Sequence, residues 1–243
     1  MRTRLLLLVV VIILVSSGCA KDDSEAEQSR STTTTTQSTT TPAEIVDPAR
    51  DKTRAEALVL TQDDLPAGWT VKQPSPDDAS ATTHDELDAC IGAPDPDTVE
   101  SASVEGATFY MGGGTNVTSS ARFVQTAEDA QADFAALKGD ELLPCAEQAL
   151  TAGLEAEFAG QEVVVEDVIV SSLTVSRVGE ETLGFRAEVS LSIEGDVRAF
   201  FVDIVLILDG RAELSVDFFS AGEPFDPALQ DDLVNKVGDK LAA

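Results

Sequence analysis

The most constraining stretch is the last third of the chain, where two strand patterns stand side by side. Leu183, Phe185, Ala187, Val189, Leu191 and Ile193 alternate with polar residues, a period of two that suits a half-buried β-strand and not a helix. Glu194-Gly195-Asp196 then turns the chain into residues 200–208, FFVDIVLIL, which are apolar on both faces. Such a run reads as a central strand. Asp209-Gly210 signals a two-residue hairpin. Ala212, Leu214, Val216 and Phe218 carry the alternation through the next strand.

Three further strands are expected upstream. Ala107, Phe109 and Met111 alternate with polar neighbours, as do Val117, Ser119, Ala121 and Phe123. Gly112 to Asn116 between them suits a hairpin turn, because Gly and Asn accept positive φ. A phosphate-cradling role for these glycines is weak, since such a loop should lead from a strand into a helix. Another strand lies within 163–178, where the apolar phase slips near Ser171-Ser172 and predicts a bulge or a break.

The helices are signalled by their ends. Residues 48–60 permit a short helix burying Ala55, Leu58 and Val59. Pro66-Ala67-Gly68 then turns the chain to deliver Trp69 as a core anchor. A short helix is expected over 85–91, with His84, the single histidine, at its start or on the surface. Thr126 and Asp129 form a capping box ahead of Ala127, Ala130, Phe134 and Leu137, and Gly139 can close that helix. A further helix is expected from Pro144, with Ala146, Ala149, Leu150, Leu154 and Phe158 on its inner face. Asp226-Pro227 caps a closing helix bearing Leu229, Leu233, Val237 and Leu241. Together these elements predict an α+β fold: a single antiparallel sheet of about six strands, with helices packed mainly on one face.

The N-terminus carries an address. Arg2 and Arg4 precede an apolar run from Leu5 to Val15, and Ser16-Ser17-Gly18 lead to Cys19. The run is shorter than the roughly 20 residues that a membrane span needs, and the layout is that of a secretory signal. Its Gly-Cys ending resembles a bacterial lipoprotein signal, with Ser16 where Leu is usual. The resemblance implies cleavage after residue 18 and lipidation of Cys19, so 1–18 is read as signal peptide. Acyl chains contribute about 0.8 kcal/mol per buried CH₂, and more than one chain holds a protein stably. Residues 19–45 are almost without apolar side chains and nearly all Ser and Thr from Ser31 to Thr41. They read as a disordered tether of roughly 25 residues, a plain spacer in preference to a glycosylated stalk. The globular domain is assigned to 46–243.

The chain has three cysteines. With Cys19 lipidated, Cys90 and Cys145 are left, and outside the cytosol they should pair. The bridge would close a loop of 55 residues (145 − 90), for which chain entropy gives about 4 kcal/mol. No Cys-x-x-Cys points to redox chemistry, and one histidine is too few for a zinc site.

Acidic residues number 44 against 16 basic, a net charge of −28. Without Arg2 and Arg4 the balance is 14 − 44 = −30. That charge repels nucleic acid, whose binding needs Lys and Arg to displace counterions. It reads as a solvated acidic surface; Asp63-Asp64, Asp77-Asp78 and Asp95-Pro96-Asp97 lack the ligand spacing of a calcium loop. No nucleophile-and-base set stands out, so no catalytic residue, metal or cofactor is expected, although abundant carboxylates leave a glycosidase open. Asn116-Val117-Thr118 matches a glycosylation sequon and is read as chance.

The segment LVLTQDDLPAGWT, the two cysteines bracketing the glycine hairpin, and PFDPALQDDLVNKV together resemble a family of exported actinobacterial lipoproteins. These look related to extracellular sensor-like domains attached to Ser/Thr kinases, and more distantly to PsbP-like domains. The resemblance covers about residues 50–243 and implies a ligand-binding or sensor-like module, which is expected to be a monomer. It would be held by Cys19 on the outer face of the cytoplasmic membrane. A carrier of lipid or another apolar molecule is the alternative, and partners are expected to be a small molecule, lipid or envelope protein.

Overall fold

The computed structural model describes residues 46–72, 90 and 100–243. The signal peptide, Cys19, the tether, His84, the helix expected over 85–91 apart from Cys90, and the pairs at 77–78 and 95–97 lie outside the described residues.

Eight strands form one antiparallel sheet: β1 Thr70–Lys72, β2 Glu100–Glu105, β3 Thr108–Met111, β4 Thr115–Val124, β5 Val163–Ser172, β6 Glu181–Ile193, β7 Asp196–Asp209 and β8 Ala212–Ala221. Their order is β1-β3-β4-β8-β7-β6-β5, with β2 paired to the far half of β4. The fold class is as expected from the sequence, and the strand count exceeds six for a plain reason. β1 has three residues, all exposed, and β2 reads ESASVE, so neither carries enough apolar alternation to announce itself.

The helices are α1 Pro48–Leu58, α2 Ala127–Ala136, α3 Leu142–Glu157 and α4 Pro227–Leu241. They divide between the two faces of the sheet and are not grouped over one, as the sequence pattern suggested. β7 is the cause. Val205 and Ile207 point to one side, where they join Leu214, Val216, Phe218, Val117 and Phe123 beneath Ala55 and Leu58 of α1 and Leu233, Val234 and Val237 of α4. Val202 and Ile204 point to the other, towards Leu150 and Leu154 of α3 and the adjoining Phe158, while Leu206 and Leu208 meet Phe134 of α2. A central strand that is apolar on both faces needs cover on both.

Local signals set the element ends. Asp47 caps α1 through the N–H groups of Ala49 and Arg50, Thr126 accepts from the N–H of Asp129, and Asp226 accepts from Ala228 and Leu229. The helix expected from Pro144 starts at Leu142; proline sits in the first turn, where its missing N–H would have had no partner. The β5 irregularity falls between Val165 and Asp167, about five residues before Ser171-Ser172, so Val163 and Val165 and then Val168 and Val170 face α3. The β7–β8 loop is Gly210-Arg211, with Asp209 paired to Ala212 and Gly210 at φ 58°. That is one residue further on than Asp209-Gly210. Trp69 is buried, as expected, against Phe225, which also packs on Phe218 at 4.8 Å between ring centroids. Gly238 of α4 is needed for close approach: a Cβ there would stand 2.5 Å from Cγ1 of Val178.

The shifted hairpin places Arg211 inside the protein. Its guanidinium donates to both Asp51 oxygens, Nη2 to Oδ1 at 2.9 Å and Nη1 to Oδ2 at 3.1 Å, and Nη1 also donates to the Val124 carbonyl at 2.7 Å. Ser101 Oγ donates to Asp51 Oδ2 at 2.7 Å. This buried pair joins α1, β2, β4 and the β7–β8 turn. Removing one partner of such a pair strands the other charge, whereas replacing both with apolar groups is often neutral. Arg211→Met alone should therefore lower the urea-unfolding free energy by about 3–5 kcal/mol, and Asp51→Leu with Arg211→Met should recover most of it. Additive losses in the double variant would contradict this account.

Candidate polar site on the sheet

On the α2–α3 face the sheet changes character between β7 and β8. β7 presents Ile204, Leu206 and Leu208, and their cross-strand neighbours on β8 are Asp217, Ser215 and Glu213. These are paired in turn with Thr118, Ser120 and Arg122 of β4. Glu105 and Ser103 of β2 continue the rows beside Ser120 and Arg122. Cross-strand partners hold their Cβ atoms about 5 Å apart, so a polar strip three strands wide lies directly against an apolar one. Thr118, Ser215 and Asn116 in this strip are buried, at 4%, 3% and 6% exposure.

At one end of the strip the charges are matched. Arg122 Nε donates to Glu213 Oε2 at 2.8 Å and Nη2 donates to Asp133 Oδ2 of α2 at 2.7 Å. One guanidinium serves two sheltered carboxylates. Burial raises Glu213 to about 7; Arg122 pulls it down and the Asp133 charge pushes it up. Asp133 is also raised, by burial against the pull of Arg122.

At the other end the match fails. Asp217 Oδ1 accepts from Ser215 Oγ at 2.5 Å, and among the described residues no cation touches it. Its carboxyl is pushed up to about 7, first by burial and further by the charge of Glu105, with Ser215 opposing. Facing it across the strands, Thr118 Oγ1 is buried and has no hydrogen-bond partner among the described residues. Among the described residues the two fully buried aspartates each have an arginine: Asp51 has Arg211, and Asp203 has Arg186 with Nε–Oδ1 and Nη2–Oδ2 both at 2.6 Å. Asp217 breaks that rule. An unsatisfied buried polar atom costs about 1–3 kcal/mol, and native folds retain few of them.

Beside Asp217 the wall is apolar. Ile204 is its cross-strand neighbour, and Phe219, two residues along β8, stacks with Phe200 at 6.0 Å between centroids and 26° between planes. A few convergent polar groups against an apolar wall are the usual composition of a small-molecule site.

Cys90 and Cys145 are bonded, with their Cα atoms 5.8 Å apart, which fastens the first turn of α3 to Cys90. Sequence reasoning did not single out Asp217, Thr118, Ser215, Glu105, Glu213 or Arg122. Glu213, Ser215 and Asp217 alternate with Leu214, Val216 and Phe218 and read as the water-facing side of a strand. The available signal was their neighbour: a strand apolar on both faces implies that the same face of β8 lies near cover.

A separate open depression of about 520 Å³ lies at the far end of the sheet, lined by Glu162, Val164, Ser192, Glu194 and Gly195. With two glutamates and one valine it lacks the apolar lining that a lipid carrier needs. Among the described residues no group of three His, Cys, Asp or Glu side chains is placed to hold a metal ion, and no helix is long and apolar enough to cross a membrane.

No protein-family model matches the chain, and no curated protein does. Among solved structures it is similar to the extracellular domain of PknH from Mycobacterium tuberculosis, with TM-score 0.38 and 14% identity over 77% of this chain and 96% of that one. It is also similar to LpqN, involved in cell envelope biogenesis of the same organism, with TM-score 0.25 and 13% identity over 72% and 78%. Likeness of this degree assigns no activity.

The raised carboxyls have a consequence for stability. Asp217 titrates at about 7 in the fold against an ordinary 3.8, so the folded state keeps a proton that the unfolded chain releases in between. Its stabilising contribution is full below the ordinary value and is lost as pH rises through about 7. Asp217→Asn should therefore gain on the native chain by on the order of 1–3 kcal/mol between about pH 4 and about pH 8 in chemical denaturation. A difference that does not change with pH would contradict the assignment.

Proposed function

We propose that the chain is a lipid-anchored extracytoplasmic protein that binds a small polar ligand on the β2–β4–β8 strip. The observation that carries this reading is the pairing of Thr118 Oγ1, buried without a partner, with Asp217, sheltered without a cation. A bound molecule would complete both. An apolar cargo would leave both unsatisfied, so a polar ligand is preferred to the lipid-carrier alternative. The arginine-paired carboxylates around the site, by contrast, each have a cation beside them and serve the fold.

The location rests on chemistry of two kinds. The leader and the Ser16-Ser17-Gly18-Cys19 ending support export and lipidation of Cys19. The Cys90–Cys145 bond supports an oxidising compartment, because cytosolic reductants keep thiols free. No reaction is assigned to the site.

One experiment addresses both halves. A Cys19→Ser chain produced in an exporting host should be recovered outside the membrane fraction. In native mass spectrometry it should carry a non-covalent small-molecule mass that is missing after unfolding and refolding, and missing from the Thr118→Val variant. Membrane retention of Cys19→Ser would contradict the anchor. A bare protein mass, with no thermal stabilisation by envelope amines, glycans or lipids, would contradict ligand binding.

A further inference from the structure

We propose that the ligand of the polar strip bears an ammonium group on an apolar body, with the nitrogen between Asp217 and Thr118 and the body against Ile204, Phe219 and Phe200. This rests on the binding reading above and goes on to fix the chemistry of what is bound.

Asp217 offers free acceptor capacity, and the Thr118 hydroxyl can accept as well as donate. Asp217 Oδ1 already takes the Ser215 hydroxyl, which leaves Oδ2; Thr118 Oγ1 has lone pairs and no partner. Glu105 lies close enough for its charge to raise Asp217. An ammonium has three N–H donors and no acceptor, so it matches this set, and its charge supplies what Asp51 and Asp203 take from an arginine. The cation already in the strip cannot serve Asp217. Arg122 pairs with Glu213, four residues from Asp217 on the same strand, about 13 Å away at strand spacing. Its guanidinium is moreover held by two carboxylates.

Other ligand classes fit less well. An anion would meet two carboxylates. A neutral alcohol would satisfy Thr118 and leave the Asp217 charge uncompensated. A divalent metal ion needs six or more oxygen ligands, and Asp217 has Ile204 on one flank. That flank explains the apolar body. Ile204, Phe200 and Phe219 are half-buried at the edge of the α3-side core, where they can cover a short hydrocarbon or ring. Aromatic faces beside an ammonium add a further attraction.

The test compares two probes of one shape, 2-phenylethylamine and 2-phenylethanol, titrated into the ¹⁵N-labelled Cys19→Ser chain at about pH 8, where the amine is protonated. The amine should shift the amide signals of Thr118, Asp217 and Phe219 and bind at least about tenfold more tightly than the alcohol, as a charge-assisted hydrogen bond requires. Asp217→Asn should abolish that preference. Thr118→Val, which keeps strand propensity and volume, should weaken amine binding several-fold. Equal binding of the alcohol at the same residues would overturn the cation assignment and leave the binding module standing. Shifts elsewhere, or none, would overturn the proposal outright, leaving the module to be judged by the mass measurement.

Discussion

The rest of the structure depends on β7 being apolar on both faces. Phe200, Val202, Ile204, Leu206 and Leu208 face one way, and Phe201, Val205 and Ile207 the other. Neither set can meet water without losing about 25 cal/mol for each Å² of apolar surface left exposed. One layer of helices cannot serve both. The chain meets the requirement by placing α1 and α4 over one face and α2 and α3 over the other. Cover laid down for β7 extends over its neighbours, including stretches of β8 and β4 whose side chains on the α2–α3 face are polar. At the Arg122 end that cover is α2, whose Asp133 meets the arginine beside Glu213; further along the same face stand the raised carboxyl of Asp217 and the unpartnered hydroxyl of Thr118.

The treatment of charge separates structure from site. The chain carries a net charge of −28, and it buries carboxylates where they hold elements together. Asp51 joins α1 to the β7–β8 turn through Arg211, Asp203 locks β7 to β6 through Arg186, and Glu213 and Asp133 join β8 to α2 through Arg122. In each case a guanidinium offsets the desolvation of the acid, although among the described residues Glu213 Oε1 and Asp133 Oδ1 find no hydrogen-bond donor. Lys240 does the same for Asp64 at the foot of α4, where its Nζ lies 2.6 Å from Oδ2. Against this consistent practice Asp217, with a serine hydroxyl for a partner, stands as the exception. Functional sites are where folds keep such exceptions.

Local chemistry was legible in the sequence, and so were the longest strands. The caps at Thr126 and Asp226 and the alternation of β6 appear as read, because each depends on residues within a few positions of one another. What escaped depends on distance. The β5 bulge is set by register against β6, and the loop residues of the β7–β8 turn by Arg211 reaching Asp51, 160 positions away. The helix pattern suggests cover over one face, although FFVDIVLIL demands cover on two. The candidate site was illegible for a related reason. Ser215 and Asp217 look the same in sequence whether they face solvent or a covered strip, and only the pairing of Thr118 with Asp217 shows that a hydroxyl and a carboxyl are left facing each other.

Whether Asp217 is an uncompensated carboxyl is the claim on which the site stands, and its own titration tests it most directly. Following the side-chain carboxyl carbon of Asp217 by ¹³C NMR in the ligand-free protein should give a midpoint of about 7, well above the ordinary 3.8. Saturating amine should move that midpoint down, because a cation favours the ionised form. A ligand-free midpoint near 4, the range of an ordinary solvated carboxylate, would show that Asp217 is already compensated and would remove the basis for a binding site on this face of the sheet.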